Sequence, residues 1–266
     1  MKKALLYLFI FVAVQSITML VFNVVGQLPG MDEFAGIDGQ RPPGFIILMS
    51  IVYGLILTVI FLHPRFCPVE IKMPRKATVS VIMLSVLAMT ATIIPSLHLQ
   101  HLLNGLFDTE SSSQLLEGIM ENPWSFVSIC LLAPLTEELV FRGAILTALR
   151  KSRCRPWFAI IMSALFFGII HINPSQIPHS FLMGLLLGWI YVRTCSLIPC
   201  ILAHMANNTV VYMLVWLLPE STSDSLDWLG NTSQQLVGFT LSATLLTWCV
   251  WLIAVRTRPI NQQADT

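Results

Sequence analysis

Apolar residues run in blocks along this chain, and the blocks are too long for the helices of a water-soluble core. About 20 consecutive apolar residues cross a bilayer as a helix. Eight such blocks are read, over roughly 4–25, 43–63, 77–97, 125–149, 157–173, 178–194, 197–218 and 235–256. The connections are brief except 26–42 and 98–124. In lipid only helices and closed barrels satisfy their backbone polar groups, and blocks of this length exclude barrel strands. The expected fold is all-α, a polytopic membrane bundle of about eight helices forming a single domain over 1–266. The first block continues to about Val25, longer than a signal-peptide core of ~7–15 residues. It is read as a retained helix.

Composition agrees. The 266 residues are 55% hydrophobic and 11% charged, against about 25% charged in soluble domains. Mean hydropathy is +0.75. The cysteines (67, 130, 154, 195, 200 and 249) contain no Cys-x-x-Cys pair, so neither a disulfide framework nor a thiolate zinc site is expected. No glycine-rich phosphate loop and no nucleic-acid signature is present.

Charge sets the orientation. With the N-terminus threaded inside, every basic residue except Arg41 and Arg142 falls in a cytoplasmic segment or at a cytoplasmic span end. The outer loops hold most of the acids, including Asp108, Glu110, Glu117 and Glu121. The positive-inside rule then gives N-in and C-in. Trp124, Trp157, Trp216 and Trp251 fall near span ends, where interfacial anchors belong. Compact loops and the lack of organelle signals suggest a bacterial inner membrane.

The chemistry begins in the fourth block, which reads Leu-Thr-Glu137-Glu138-Leu-Val-Phe-Arg142-Gly. An ionisable residue at mid-bilayer costs at least ~2.5–3.5 kcal/mol, so three within six residues imply a function. Glu138 and Arg142 are i and i+4 and share a helix face. Glu137 is turned ~100° away. The expected division is that Arg142 pairs with Glu138 and Glu137 faces a cavity. Pro134 cannot donate to the carbonyl of Cys130, so a kink with exposed backbone is expected there. Phe167 and His171 are i, i+4 in the fifth block, and His204 and Asn208 are i, i+4 in the seventh. Either pair alone suits interfacial contact or helix–helix hydrogen bonding. Gly184 and Gly188 form a small-xxx-small pattern read as close packing.

Taken together, these groups form a water-activating set. A glutamate can accept a proton from water and a histidine can orient that water or protonate a leaving amine. A second histidine with an amide can stabilise an oxyanion. Three depths conflict, however. At ~1.5 Å per residue, Glu137 lies ~18 Å from its cytoplasmic end, His171 ~21 Å and His204 ~10 Å. Tilt, or a deeper start to the seventh helix after Pro199, must close the gap.

The ordered motifs Glu-Glu-x-x-x-Arg, Phe-x-x-x-His and His-x-x-x-Asn resemble those of the CAAX protease and bacteriocin-processing family of intramembrane proteases. They span 137–208. The resemblance implies a helical bundle with a wet intramembrane cavity, a catalytic core of about 125–218, and hydrolysis of peptide bonds in membrane-associated or lipidated peptides. It implies that Glu137 activates water with His171, that His204 and Asn208 form the oxyanion site, and that Glu138, Arg142 and Phe167 support them. It is compatible with bacteriocin maturation or self-immunity. Zinc held by Glu137, His171 and His204 stays open, but His-Glu-x-x-His is absent and a metal-free, glutamate-activated water is favoured. The alternatives are an inactive scaffold or immunity protein of the same fold and, further off, a proton-coupled transporter. Against the last, no internal repeat with paired broken helices is found.

Overall fold

The computed structural model describes residues 1–28, 42–67, 79–103, 118–152, 154–171, 176–217 and 226–257. Arg41, Asp108, Glu110 and Glu117 lie outside the described residues, as do Lys72, Arg75, Lys76, Arg153 and Arg258. Among the described residues every regular element is a helix, with α1 (Lys2–Val25), α2 (Pro43–Leu62), α3 (Val79–Thr90) and α4 (Ile93–Leu103) in the first half. A continuous helical run, α5, covers 124–151. It is followed by α6 (Pro156–Ile169), α7 (Ile177–Thr194), α8 (Ile198–Leu217) and α9 (Thr232–Arg256).

Helix lies at each of the eight expected blocks. Lys2–Val25, Pro43–Leu62, Val79–Leu102, Ile198–Leu217 and Thr232–Arg256 are long and apolar enough to cross a membrane, while Pro156–Ile169 is apolar but shorter. Large apolar side chains stand on the outer faces of these helices, among them Phe9, Val59, Val79 and Trp216, each about 70% exposed. In water that surface would be untenable for a monomer, and against lipid tails it costs nothing. The protein is an integral, multi-pass membrane protein.

The α5 helix is the hub. Its flank toward α2 is joined by hydroxyl bridges, Ser50 to Ser128 at 2.6 Å and Thr58 to Thr136 at 2.8 Å. Ser125 meets Tyr212 of α8 at 2.9 Å, Ser163 of α6 donates to the Phe141 carbonyl at 2.9 Å, and Thr147 meets Tyr191 of α7 at 2.8 Å. Phe11 of α1 packs edge-on against Phe141. Lipid offers no competing hydrogen-bond partners, so such hydroxyl pairs fix helix positions where apolar contact alone would not. The α6–α7 pair packs closest at Gly184, where a Cβ would come within 2.9 Å of Ala164. The small-xxx-small pattern is therefore a packing device.

The hydrogen-bond register of α5 is unusual. Val127–Leu132 and Leu139–Leu146 are π-helical, and the glutamates sit in the α-helical segment Ala133–Glu138 between them. The amide of Ala133 donates five residues back, to Ser128. In that register the next acceptor, the Ile129 carbonyl, faces Pro134, which has no N–H. The exposed backbone expected at Pro134 thus appears as a register shift, and the carbonyl set free is that of Ile129.

Candidate active site

Glu138 is completely buried and Arg142 nearly so. Arg142 Nη1 donates to Glu138 Oε1 at 2.8 Å across one helical turn. Its Nη2 reaches the Gly184 carbonyl at 3.4 Å, and its guanidinium lies 4.7 Å above the Phe167 ring. Gly184 therefore serves twice. Its missing side chain lets α7 approach α6, and its carbonyl takes a guanidinium proton.

The same Oε1 of Glu138 stands 2.9 Å from His204 Nδ1. A carboxylate on Nδ1 holds the ring in one orientation and leaves Nε2 to face the reacting groups. Here Nε2 lies 3.8 Å from Oε2 of Glu137, whose side chain is 18% exposed. The result is a continuous polar chain, Arg142–Glu138–His204–Glu137, set between α5 and α8. Glu138 has a function the sequence reading did not give it, since it orients His204 as well as pairing with Arg142.

These contacts settle the depth conflict for His204. In the α7–α8 connection Thr194, Ser196 and Leu197 are buried, while Cys195 is exposed. Cys195 takes a left-handed conformation there (φ 53°) and turns the chain into α8. The α8 helix that follows places His204 beside both glutamates.

His171 Nδ1 is bonded to its own helix, at the Phe167 carbonyl (2.8 Å). Phe167 is the spacer, with its ring 4.9 Å from that of His171 and 5.8 Å from that of His204. Among the described residues no hydrogen bond or ion pair joins His171 to Glu137. Asn208, one turn beyond His204, donates its Nδ2 to the Ile129 carbonyl at 3.0 Å. It satisfies the acceptor that the π register and Pro134 leave open, and so locks α8 to the bulged turn of α5. Among the described residues no three His, Cys, Asp or Glu side chains form a group able to hold a metal ion. Glu137, His171 and His204 are thus not preset as ligands.

Two groups escaped the sequence reading. His179, in the first turn of α7, lies within electrostatic range of both His171 and His204. Its Nδ1 is buried without a protein partner among the described residues. A histidine eight residues after His171 and inside an apolar block was a signal in itself. Tyr53 of α2 lies within electrostatic range of Glu137, and its side chain shares a hydrogen bond with Gln15. Nothing in the local sequence marks Tyr53, because its relevance depends on α2 packing against α5.

Comparison with known proteins finds similarity to membrane peptidases. Residues 119–210 match a family model described as Rce1-like, type II CAAX prenyl endopeptidase. The chain is 26% identical over 230 residues to the membrane-embedded CAAX protease MroQ of Staphylococcus aureus (strain USA300), covering 82% of this chain and 91% of that protein. It is 28% identical over 107 residues to the putative membrane peptidase YdiL of Bacillus subtilis (strain 168), covering 40% and 43% of the two chains. No solved structure matches. The matched region contains the whole polar chain from Glu137 to Asn208, and over it the chain is similar to the Rce1-like CAAX prenyl endopeptidases.

Proposed function

We propose that this protein is an intramembrane endopeptidase that hydrolyses peptide bonds of membrane-associated or lipidated peptides through a water activated by Glu137. The observation that carries the reading is the chain Arg142–Glu138–His204–Glu137, in which Glu138 is buried and paired through Oε1 while Glu137 is left partly open. A carboxylate that served only to balance Arg142 would need no second glutamate beside it.

The steps follow from position. Glu137 takes a proton from a water that attacks the peptide carbonyl, forming the C–O bond. His204, held by Glu138, directs Nε2 toward the oxyanion. Asn208 holds α8 against the bulged turn of α5 and has a second amide proton to give to that oxyanion. Collapse of the tetrahedral species breaks the C–N bond, and the leaving amine takes the proton first removed from water, through Glu137 or His171. No acyl-enzyme forms, because the nucleophile is water. Four buried polar atoms have no partner among the described residues: Glu138 Oε2, Arg142 Nε, His179 Nδ1 and Asn207 Oδ1. Such atoms concentrate where water or a ligand's polar groups are received. His179 is thus a third imidazole available to the substrate or its water.

The test is cleavage of a membrane-associated peptide library by purified protein in lipid nanodiscs, wild type against Glu137→Gln. Loss of cleavage in the variant, with its thermal midpoint kept, is the expected result. Turnover near the wild-type level in Glu137→Gln removes the reading, and no cleavage by the wild type favours a scaffold of the same fold. Metal content measured on the same samples decides whether a bound ion takes part.

A further inference from the structure

At the far end of α5 from Pro134, four cationic side chains surround one cavity of about 480 Å³. Lys2 and Lys3 come from the first turn of α1, Arg65 from the turn after α2, and Lys151 from the last turn of α5. Among the described residues none of the four makes an ion pair, and no carboxylate lines the cavity. The hydroxyls present are already engaged. Tyr7 is bonded to the Arg65 carbonyl and Thr147 to the Arg142 carbonyl, while Ser152 donates to the Ala148 carbonyl. Three chain segments thus bring four basic side chains and the Met1 ammonium together, with no balancing carboxylate among the described residues. An anion from outside the protein would relieve their mutual repulsion.

From this we infer a binding site for the phosphate of an anionic phospholipid, in the leaflet that meets this end of the bundle. Two features favour a lipid over a free phosphate. The cavity wall is mixed, with Phe66, Ala144 and Ala148 beside the cations, which suits a glycerol ester next to its phosphate. The apolar continuation is also in place. Lys2, Leu6 and Phe9 are spaced i, i+4, i+7 and so share one face of α1, on which Leu6 and Phe9 are 51% and 69% exposed. An acyl chain leaving the headgroup would lie along that face. Basic pockets between membrane helices hold acidic headgroups by this combination of charge and apolar stem. The catalytic glutamates take no part, since Lys151 lies fourteen positions beyond Glu137, about 21 Å along the helix.

The experiment follows the thermal midpoint of the full-length protein in neutral detergent. Dioleoylphosphatidylglycerol, dioleoylphosphatidylcholine and inorganic phosphate are each titrated. The expected result is a saturable rise with phosphatidylglycerol and none with phosphatidylcholine or phosphate. The triple variant Lys3→Gln/Arg65→Gln/Lys151→Gln should bind on the order of a hundredfold more weakly, about fivefold for each charge removed. Arg65→Gln alone should show the fivefold step, which keeps the test open if the triple variant does not fold. The charge-keeping variant Lys3→Arg/Arg65→Lys/Lys151→Arg should bind as the wild type does. An equal rise with phosphatidylcholine, or an unchanged response in Arg65→Gln, overturns the site. An equal rise with inorganic phosphate overturns the lipid assignment.

Discussion

Replacing Arg142 with methionine isolates the charge at the centre of the site. Methionine fills much of the same volume, so the loss reports on the ion pair more than on a cavity. Three contacts disappear: the 2.8 Å bond to Glu138, the 3.4 Å bond to the Gly184 carbonyl, and the stacking of the guanidinium at 4.7 Å over Phe167. Removing one member of a buried pair costs about 3–5 kcal/mol. His204 Nδ1 remains beside Glu138 at 2.9 Å and offsets part of this, so the lower bound of about 3 kcal/mol is expected. For a protein of this size 1 kcal/mol shifts the midpoint by roughly 2–4 °C. The fall should therefore be on the order of 6–12 °C, read by tryptophan fluorescence in detergent. The companion variant Glu138→Gln/Arg142→Met removes the uncompensated carboxylate and should recover part of the loss, giving a coupling of at least about 1 kcal/mol in a double-mutant cycle. A midpoint for Arg142→Met within about 2 °C of wild type, or a double variant no more stable than the single one, refutes the argument.

The remaining expectations concern single residues. Asn208→Ala leaves the Ile129 carbonyl without its donor and should cost ~1–3 kcal/mol of stability, besides ~10²–10³ in turnover if its second amide proton serves the oxyanion. An unchanged midpoint would show that the bond at 3.0 Å does not hold α8 in place. His204→Ala and the double variant His204→Ala/Asn208→Ala should lose similar amounts of turnover, because groups acting on one oxyanion are not additive. A fall in metal content in His204→Ala but not in Asn208→Ala would assign His204 to a metal instead. His179→Ala should lower kcat by up to about 10² with the midpoint kept, and full activity there would remove the third imidazole from the site. With the N-terminus inside, Cys154 should react with a membrane-impermeant thiol reagent only from the cytoplasmic face, and labelling from the outer face would invert the topology.

Much of this protein is legible without coordinates, because the information is local. A helix places i and i+4 together, so Glu138 with Arg142, Phe167 with His171, and His204 with Asn208 could each be set on one face from spacing alone. The helical blocks and the membrane class likewise follow from apolar length, since lipid leaves a long apolar segment few other conformations. What the sequence could not show lies between helices. That Glu138 serves both Arg142 and His204 depends on how α8 packs against α5. That Asn208 caps a carbonyl of α5 depends on a π register with no counterpart in residue spacing. Tyr53 and the basic cavity stay hidden for the same reason. Each joins residues far apart in the chain, and in lipid such meetings are set by which small residues and hydroxyls allow two helices to touch, a property of pairs of helices and not of any one of them.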